Sequence, residues 1–251
     1  MHLFRRRRKP DPRNLADLPT LFGQTRIYDV RQDGGDVMRV LDVEGTWQSA
    51  RYLGERSRDL AFRYHQRFAE VLTARGLKGG RALMLGGGGF AFPTWLLGHD
   101  SAATVDVIEI DPDIIELAEQ WMSLAELSAD ERGRLDILCT DAVSWLAARS
   151  KGDTPYDLVI NDLFAAEAPA RALMDVRGAE LIHDALAPGG LYLANVVSAL
   201  RGSRARPLRS VVAALGECFA HVHVLPLGAD EPWTRDNNIV IASDNELDWL
   251  S

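Results

Sequence analysis

The stretch Ala82-Leu83-Met84-Leu85-Gly86-Gly87-Gly88-Gly89 decides the fold of this chain. Its four apolar residues predict a short buried β-strand, and its four glycines predict a turn in which the backbone can approach a ligand closely. Pro93 follows at a position that is typical of the first turn of a helix. A strand, a glycine turn and a helix in this order predict an open α/β sheet that binds a ligand at the amino end of the helix.

Apolar strand patterns and helical patterns alternate through the rest of the chain. This alternation implies right-handed βαβ units, and therefore a parallel sheet with helices on both faces. The last two strands differ, because only a loop is predicted between them, and we expect them to form an antiparallel pair. The predicted strands are 82–85, 105–109, 135–138, 157–160, 190–194, 221–225 and 238–242, and the predicted helices include 57–74, 112–127 and 142–148.

This pattern predicts an α/β architecture, a Rossmann-like class I methyltransferase fold with a mostly parallel seven-stranded sheet and an antiparallel C-terminal strand pair. A small N-terminal β segment precedes it, because the Asp33-Gly34-Gly35 turn separates two alternating runs and predicts a hairpin. We expect three parts along the chain: a basic, disordered tail over 1–20, a β-rich segment over 21–56, and the Rossmann-like domain over 57–251.

The composition excludes several classes of protein. The chain has 251 residues, 47% of them hydrophobic, and a formal net charge of −8 although residues 5–9 are all basic. Because an acidic body repels nucleic acid, we expect no nucleic-acid partner. No apolar stretch approaches the ~20 residues of a membrane span and none follows the basic run, so we expect neither a membrane span nor a signal peptide. Two cysteines, Cys139 and Cys218, fit a reducing cytoplasm.

Three carboxylates follow three successive strands of the predicted sheet, namely Glu109, Asp141 and Asp162. Because the carboxyl ends of parallel strands share one edge of the sheet, we expect these side chains to converge on the ligand at the glycine turn. Glu109 lies about twenty residues after the turn, where an acid accepts hydrogen bonds from ribose hydroxyls. Asp141 has a structural alternative, since it can cap the helix that begins at Ala142.

The glycines and Glu109 alone leave two ligand classes open. Gly86-x-Gly88-x-x-Ala91 also fits the fingerprint of a nicotinamide dinucleotide site. Asp141 and Asp162 favour an adenosylmethionine-type nucleoside, because the nicotinamide pattern does not require acids at those positions.

Taken together, these segments resemble the spermidine synthase family over roughly residues 25–245. The resemblance implies a transferase whose donor is decarboxylated S-adenosylmethionine, or S-adenosylmethionine itself, and whose acceptor is a small-molecule amine. It also implies a cytoplasmic enzyme and a homodimer that pairs through the N-terminal β segment. The matching segments are 85–88, 107–111, 140–142, 156–162, the Gly45-Thr46-Trp47-Gln48-Ser49 motif and the closing strand 237–243.

The resemblance also implies roles for individual residues. Glu109 would bind the ribose, Asp141 would contact the adenine amino group, and Asp162 would orient and deprotonate the attacking amine. The complete set of nucleoside-binding residues that the resemblance implies is Gln48, Gly86, Gly87, Gly88, Glu109, Asp141 and Ala142.

Two positions depart from the family pattern. Gly89 stands where the family has an aspartate that binds the donor's aminopropyl ammonium, and Ala165 stands where a second aspartate holds the polyamine. Glu167 is a candidate replacement from a displaced position. Tyr64 and Trp233 are further candidate substrate-binding residues, one on a helix and one in a loop that can close over the pocket.

The remaining aromatic and imidazole side chains are interpreted as structural. Phe90, Phe92 and Trp95 are predicted to pack in the core rather than to stack on a substrate. His65 lies near a position where the family has residues that contact the donor and the amine, but it is equally well explained as an ordinary residue of a helix surface.

No metal site is expected. His221 and His223 alternate on a strand and have no acidic or cysteine partner at metal-binding spacing.

The two departures leave three functions open. Aminopropyl transfer is favoured by Gln48 and Asp162, which keep the family pattern. Methyl transfer is favoured by Gly89 and Ala165, because the aspartate missing at residue 89 would have repelled the carboxylate of intact S-adenosylmethionine and the one missing at residue 165 would have held a polyamine. A non-catalytic protein that binds an adenosyl nucleoside is the third. A nicotinamide oxidoreductase is the least supported alternative.

Overall fold

Two β-sheets organise residues 13–76, 80–150, 152–163, 173–228 and 231–247, which are the residues that this computed structural model describes. The first sheet is an antiparallel meander in chain order, and the Asp33-Gly34-Gly35 turn joins its second and third strands as predicted. Its strands are β1 Arg13–Thr20, β2 Gly23–Arg31, β3 Val37–Val43 and β4 Thr46–Tyr52.

The prediction of a disordered tail over 1–20 is wrong for residues 13–20, which form the edge strand β1. The apolar side chains Leu15 and Leu18 explain this strand, because they pack against the main hydrophobic core. Residues 1–12, which include the basic run, lie outside the described residues. The division of the chain at residue 56 stays a prediction.

The second sheet has seven strands in the order β10-β11-β9-β8-β5-β6-β7. Strands β5 to β9 pair in parallel, whereas β11 pairs antiparallel with both β9 and β10. The predicted fold is therefore confirmed. The strands are β5 Gly80–Leu85, β6 Ala103–Glu109, β7 Leu135–Cys139, β8 Tyr156–Asn161, β9 Leu186–Ser198, β10 His221–Pro226 and β11 Asp236–Ser243.

The strand order places a crevice in the middle of the sheet. The chain moves outward in one direction from β5 through β6 to β7, and then returns to the other side of β5 as β8. The turns that leave β5 and β8 therefore diverge at the carboxyl edge, and this reversal is where open α/β sheets bind their ligands.

The helices differ from the predicted ones at three places. The helix predicted from residue 57 begins at Arg63, because a 3₁₀ turn over Gly54–Arg56 and a bend precede it. The helix predicted over 112–127 is broken at Ser123, whose φ of 61° is left-handed. A helix that was not predicted precedes β10. The helices are α1 Arg63–Arg75, α2 Ala91–His99, α3 Pro112–Trp121, α4 Leu124–Asp130, α5 Ala142–Ala148, α6 Val176–Ala185 and α7 Arg206–Gly216.

Apolar residues cover both faces of the large sheet. On one face, Phe68 of α1 and Phe92 of α2 pack edge to face with ring centroids 5.6 Å apart. On the other face, α6 and α7 pack over β8, β9 and β11. Because both faces are covered, the strands are apolar almost throughout, and polar residues are concentrated where the strands end.

The small sheet is tied to the large one by two arginines. Arg39 on β3 donates a hydrogen bond to the carbonyl of Trp121, and Arg51 on β4 donates one to the carbonyl of Met122. These carbonyls are among the unpaired acceptors at the C-terminal end of α3, which cations stabilise. Burial lowers the pKa of the Arg51 guanidinium.

Among the residues described, no helix is both long enough and apolar enough to cross a membrane.

Candidate active site

The glycine turn and the end of β8 approach each other as closely as backbone can. The Asp162 N–H donates to the carbonyl of Leu85 at 2.9 Å, which extends the sheet by one residue. Gly86 has a left-handed φ of 93°, and a Cβ there would lie 2.7 Å from the carbonyl oxygen of Asp162. Only glycine fits this position, because any side chain would separate the turn from Asp162.

Glu109, at the end of β6, holds the glycine turn in place. Its Oε2 accepts hydrogen bonds from the N–H groups of Gly87 at 2.9 Å and Gly88 at 3.1 Å. Its Oε1 accepts one from the N–H of Asp111 at 3.1 Å. Because a carboxylate has about four acceptor positions, one remains on Oε1 for a ligand hydroxyl. The predicted contact with a ribose stays a prediction.

The ring of Phe90 packs against the glycine turn. Its side chain is fully buried, and a Cβ at Gly87 would lie 2.7 Å from its ring. Phe92 is also fully buried, so the prediction that these two aromatic residues pack in the core is confirmed. Phe90 itself has a φ of 54°, a left-handed conformation that bulky residues adopt only where their surroundings enforce it.

Asp162 is held by two side chains from α1. The Tyr64 hydroxyl donates to Oδ2 at 3.1 Å, and His65 Nε2 lies 2.9 Å from the same oxygen. All three side chains are largely buried. Since a carboxylate only accepts, His65 carries its ring hydrogen on Nε2 in this contact. The interpretation of His65 as a helix-surface residue is therefore wrong, because α1 turns this residue toward the sheet edge rather than toward solvent.

The other oxygen of Asp162 is left open. Within the described parts of the chain, three buried side-chain oxygens have no hydrogen-bond partner: Gln48 Oε1, Asp162 Oδ1 and Asn195 Oδ1. Burial without a partner destabilises such an atom by about 1–3 kcal/mol. All three are acceptors, so each is suited to a ligand that brings N–H or O–H groups.

Asn195 lies beside Asp162 but was not identified from the sequence. It follows Ala194, which pairs with Asn161, so Asn195 is level with Asp162 on the neighbouring strand. Side chains alternate along a strand, and Leu193, two residues earlier, packs in the same core as Tyr64. Asn195 therefore belongs to the face of the sheet that carries α1. An asparagine inside the apolar run of β9 is the signal that would have identified it.

The space beside Gly89 is filled by protein. A Cβ at this position would lie 2.5 Å from Ser49 Oγ, 2.8 Å from Ser49 Cβ and 2.7 Å from Met122 Cε. The resemblance had drawn attention to Gly89 for its missing charge. The structure adds that Ser49 of β4 and Met122 at the end of α3 already fill the space that a side chain there would need.

The other predicted site residues have different surroundings. Asp141 caps α5, since its side chain accepts a hydrogen bond from the N–H of Ser144 at 2.8 Å, and Ala142 is buried behind it. The contact of Asp141 with adenine, which would use its second carboxylate oxygen, stays a prediction. Trp233 is 55% exposed on a turn. Glu167 and Ala165 lie outside the described residues.

In the part of the chain that is described, no group of three or more His, Cys, Asp or Glu side chains is arranged to hold a metal ion.

The comparisons with known proteins agree with this geometry. The model of the spermine/spermidine synthase domain matches residues 61–200, which is more than half of the chain. A polyamine aminopropyltransferase of Aeropyrum pernix is 29% identical over 198 residues, which cover 75% of this chain and 59% of the relative. Other curated relatives of this kind are covered to 57% and 59%, so the chain spans less than two thirds of their length.

Solved structures show the same fold. A probable spermidine synthase from Corynebacterium glutamicum superposes with a TM-score of 0.76 at 24% identity, covering 92% of this chain and 81% of that one. Human methyltransferase-like protein 13, in complex with SAH, superposes with a TM-score of 0.62 at 19% identity, covering 75% and 85%. The fold is thus shared with methyltransferases as well as with spermidine synthases.

The contact between Tyr64 and Asp162 predicts a dependence of stability on pH. Burial, together with the negative charge of Asp162, raises the pKa of the Tyr64 hydroxyl well above its usual value. In the unfolded chain this hydroxyl therefore loses its proton at a lower pH, near pH 10, than in the folded chain. Its contribution to stability is complete below pH 10 and is lost as the pH rises toward the pKa of the folded state. Above pH 10, we expect the free energy of unfolding of the native chain to fall faster with pH than that of Tyr64→Phe. The difference in slope should be up to about 1.4 kcal/mol per pH unit.

Urea denaturation of both proteins at intervals from pH 8 to pH 11 measures this difference. A stability difference that stays constant over the whole range would contradict the assignment, because a simple loss of packing does not depend on pH.

The filled space at Gly89 predicts that a side chain there is destabilising. We expect Gly89→Ala to lower the free energy of unfolding by about 1–3 kcal/mol, the usual effect of overpacking, and Ser49→Gly to restore part of it in the double variant. Urea denaturation of the single and double variants measures the coupling. Gly34→Ala is the control, because nothing lies within 4 Å of a Cβ there. Strictly additive effects of the two substitutions would show that residues 49 and 89 do not compete for space.

Proposed function

The chain belongs to the spermine/spermidine synthase family, and from this premise we propose that it transfers an aminopropyl group from decarboxylated S-adenosylmethionine to an amine acceptor. The observation that carries the proposal is the half-satisfied carboxylate of Asp162. Two donors from α1 fix Oδ2, whereas Oδ1 is buried without a partner beside the glycine turn. An oriented carboxylate with one open oxygen is what an attacking amine requires.

In the proposed reaction, Asp162 Oδ1 accepts a hydrogen bond from the acceptor ammonium and then takes its proton. The freed nitrogen lone pair attacks the propyl carbon next to the sulfonium. The C–N bond forms as the C–S bond breaks, its electron pair returns to sulfur, and methylthioadenosine leaves as a neutral thioether. The site contributes mainly alignment of nitrogen, carbon and sulfur, together with proton removal by a positioned base.

Asn195 and Gln48 supply the remaining open acceptors. Asn195 Oδ1 lies level with Asp162 on the next strand, so we assign it a second hydrogen bond to the acceptor amine. Gln48 Oε1 lies on β4, next to the Ser49 that packs against Gly89, and we assign it to the nucleoside. Glu109, with Asp141, would complete the nucleoside contacts from the ends of β6 and β7.

Gly89 affects the donor rather than the reacting atoms. With no side chain at this position and no room for one, the donor's propyl ammonium receives no carboxylate from residue 89. We therefore propose that the site discriminates less strongly between decarboxylated and intact S-adenosylmethionine than a site with an acid there. Calorimetry with both donors measures this ratio.

We also propose that the protein acts in the cytoplasm as a homodimer, which the likeness to the family supports. Light scattering of the full chain would then give twice the monomer mass of 27.7 kDa. A monomer mass at micromolar concentration would exclude the dimer.

The decisive test is turnover with the decarboxylated donor and putrescine. Mass spectrometry should show a product heavier than putrescine by one aminopropyl group, together with methylthioadenosine. Asp162→Asn should reduce turnover at least about a hundredfold, since a positioned base contributes 10²–10⁴-fold, while methylthioadenosine still binds. The control is Asp244→Asn, which alters a second aspartate–histidine pair, at the surface with His183, and should keep activity.

Three outcomes would overturn the proposal. Unchanged turnover in Asp162→Asn removes that residue from its role. A methylated product from intact S-adenosylmethionine, with no aminopropyl product, assigns the site to methyl transfer. Tight binding of methylthioadenosine without turnover of any amine would make the chain a nucleoside-binding protein.

A further inference from the structure

Five exposed arginines gather at the carboxyl end of β9 and the start of α7. Arg201, Arg204, Arg206 and Arg209 fall within residues 200–216, a run without a single Asp or Glu, and Arg235 joins them from the other side of a loop. The chain as a whole has a net charge of −8, so the residues outside this set, which we call the basic face, carry −13. Positive charge concentrated on one side of an acidic protein indicates a surface for an anionic partner.

The fold holds these arginines together. The N–H groups of Leu200 and Arg201 both donate to the carbonyl of Pro232, at 2.8 Å and 2.9 Å, so the loop after β9 is fastened to the loop before β11. Arg235 donates to the carbonyl of Val197, and Arg209 donates to that of Gly202. The last two bonds each use one guanidinium nitrogen on a backbone carbonyl, so neither pairs the arginine charge with a carboxylate.

The charges of the basic face have no internal counterpart. Over residues 13–76, 80–150, 152–163, 173–228 and 231–247, none of the five guanidinium groups forms an ion pair with a carboxylate. Elsewhere on the same surface, exposed arginines such as Arg26, Arg56 and Arg177 do form such pairs. Within the described part of the chain, Arg31, Arg58 and Arg132 are exposed and form no such pair either, so what distinguishes the basic face is that its unpaired arginines are grouped.

An apolar groove continues the basic face. It lies between α7 and β10, the edge strand of the large sheet, and Arg209 stands on its rim. Its lining is almost entirely apolar, and Leu200, which is 38% exposed, joins it to the arginine loop. The other lining residues are Leu208, Val212, Ala213, Val224 and Pro226.

The grouped arginines and the apolar groove together favour one class of partner. A nucleic acid would meet the basic face, but the remaining surface repels an extended polyanion and the groove offers no hydrogen bonds to bases. A lipid surface would meet the arginines and the exposed Leu200 and Trp233, but it would leave the groove between α7 and β10 unfilled. A protein segment that carries acidic and apolar side chains satisfies both features, since its carboxylates can pair with the guanidinium forks while its apolar groups fill the groove.

We propose that the basic face and the groove together dock an acidic, apolar segment of a partner protein. The surface is built from residues other than Asp162, Tyr64, His65 and Glu109, so the proposal does not depend on the group that the active site transfers. The groove lies at the edge strand β10, on the face of the large sheet opposite to the one that carries α1.

Fluorescence anisotropy of a labelled twelve-residue peptide of alternating Glu and Leu, added to the full chain, tests the proposal. The variant with Arg201→Glu, Arg204→Glu and Arg206→Glu should bind the peptide at least tenfold more weakly. The matched control carries Arg31→Glu, Arg132→Glu and Arg177→Glu, which change the net charge equally at exposed sites elsewhere, and should bind within about twofold of the native chain. Replacing the same three arginines by glutamine should weaken peptide binding by a similar factor if the guanidinium groups contact the peptide directly.

Several results would overturn the proposal. Equal losses in the two charge-reversed variants would show that only net charge matters. Equal affinity for a peptide of alternating Glu and Ser would remove the groove from the interaction. Tighter binding of a 20-base-pair DNA duplex or of phosphatidylglycerol vesicles than of the Glu–Leu peptide would assign the face to nucleic acid or to membrane. Thermal melting and methylthioadenosine binding confirm that each variant is folded.

Discussion

The close approach of the glycine turn to Asp162 is the constraint on which the site depends. Gly86 can take its left-handed conformation and leave no atom between its own backbone and the carbonyl of Asp162. The carboxylate of Asp162 is thereby delivered to the point where the chain reverses across the sheet. A larger residue at position 86 would push the two turns apart, and both the glycine turn and the open carboxylate oxygen would be displaced.

The two central carboxylates are used in opposite ways. Glu109 accepts hydrogen bonds from three backbone N–H groups, so its side chain fixes the conformation of the glycine turn. Asp162 has both donors on one oxygen and none on the other. A buried carboxylate oxygen without a partner is unfavourable in the free protein, and a ligand that supplies the missing donor relieves that cost. The proposed binding and chemistry therefore use Asp162 rather than Glu109.

The sequence predicted those parts of the structure that depend on local pattern. The strands, the glycine turn and the acids at strand ends follow from periodicity and position, and α5 with its Asp141 cap has the predicted bounds. Partners that come from distant elements were not predictable. His65 was misjudged because helical periodicity does not reveal which polar residue faces a sheet edge, and Asn195 was overlooked inside an apolar strand. The carbonyls just before the break at Ser123 accept hydrogen bonds from Arg39 and Arg51, which come from the other sheet.

The same two arginines connect the small sheet to the donor side of the site. Arg51 holds the carbonyl of Met122, whose side chain, with Ser49, occupies the space beside Gly89. Ser49 and Arg51 are two residues apart on β4, so one strand both anchors the end of α3 and closes the space next to the turn. Residue 89 is therefore constrained from two elements at once. An acid at this position would have to displace the side chains of Ser49 and Met122.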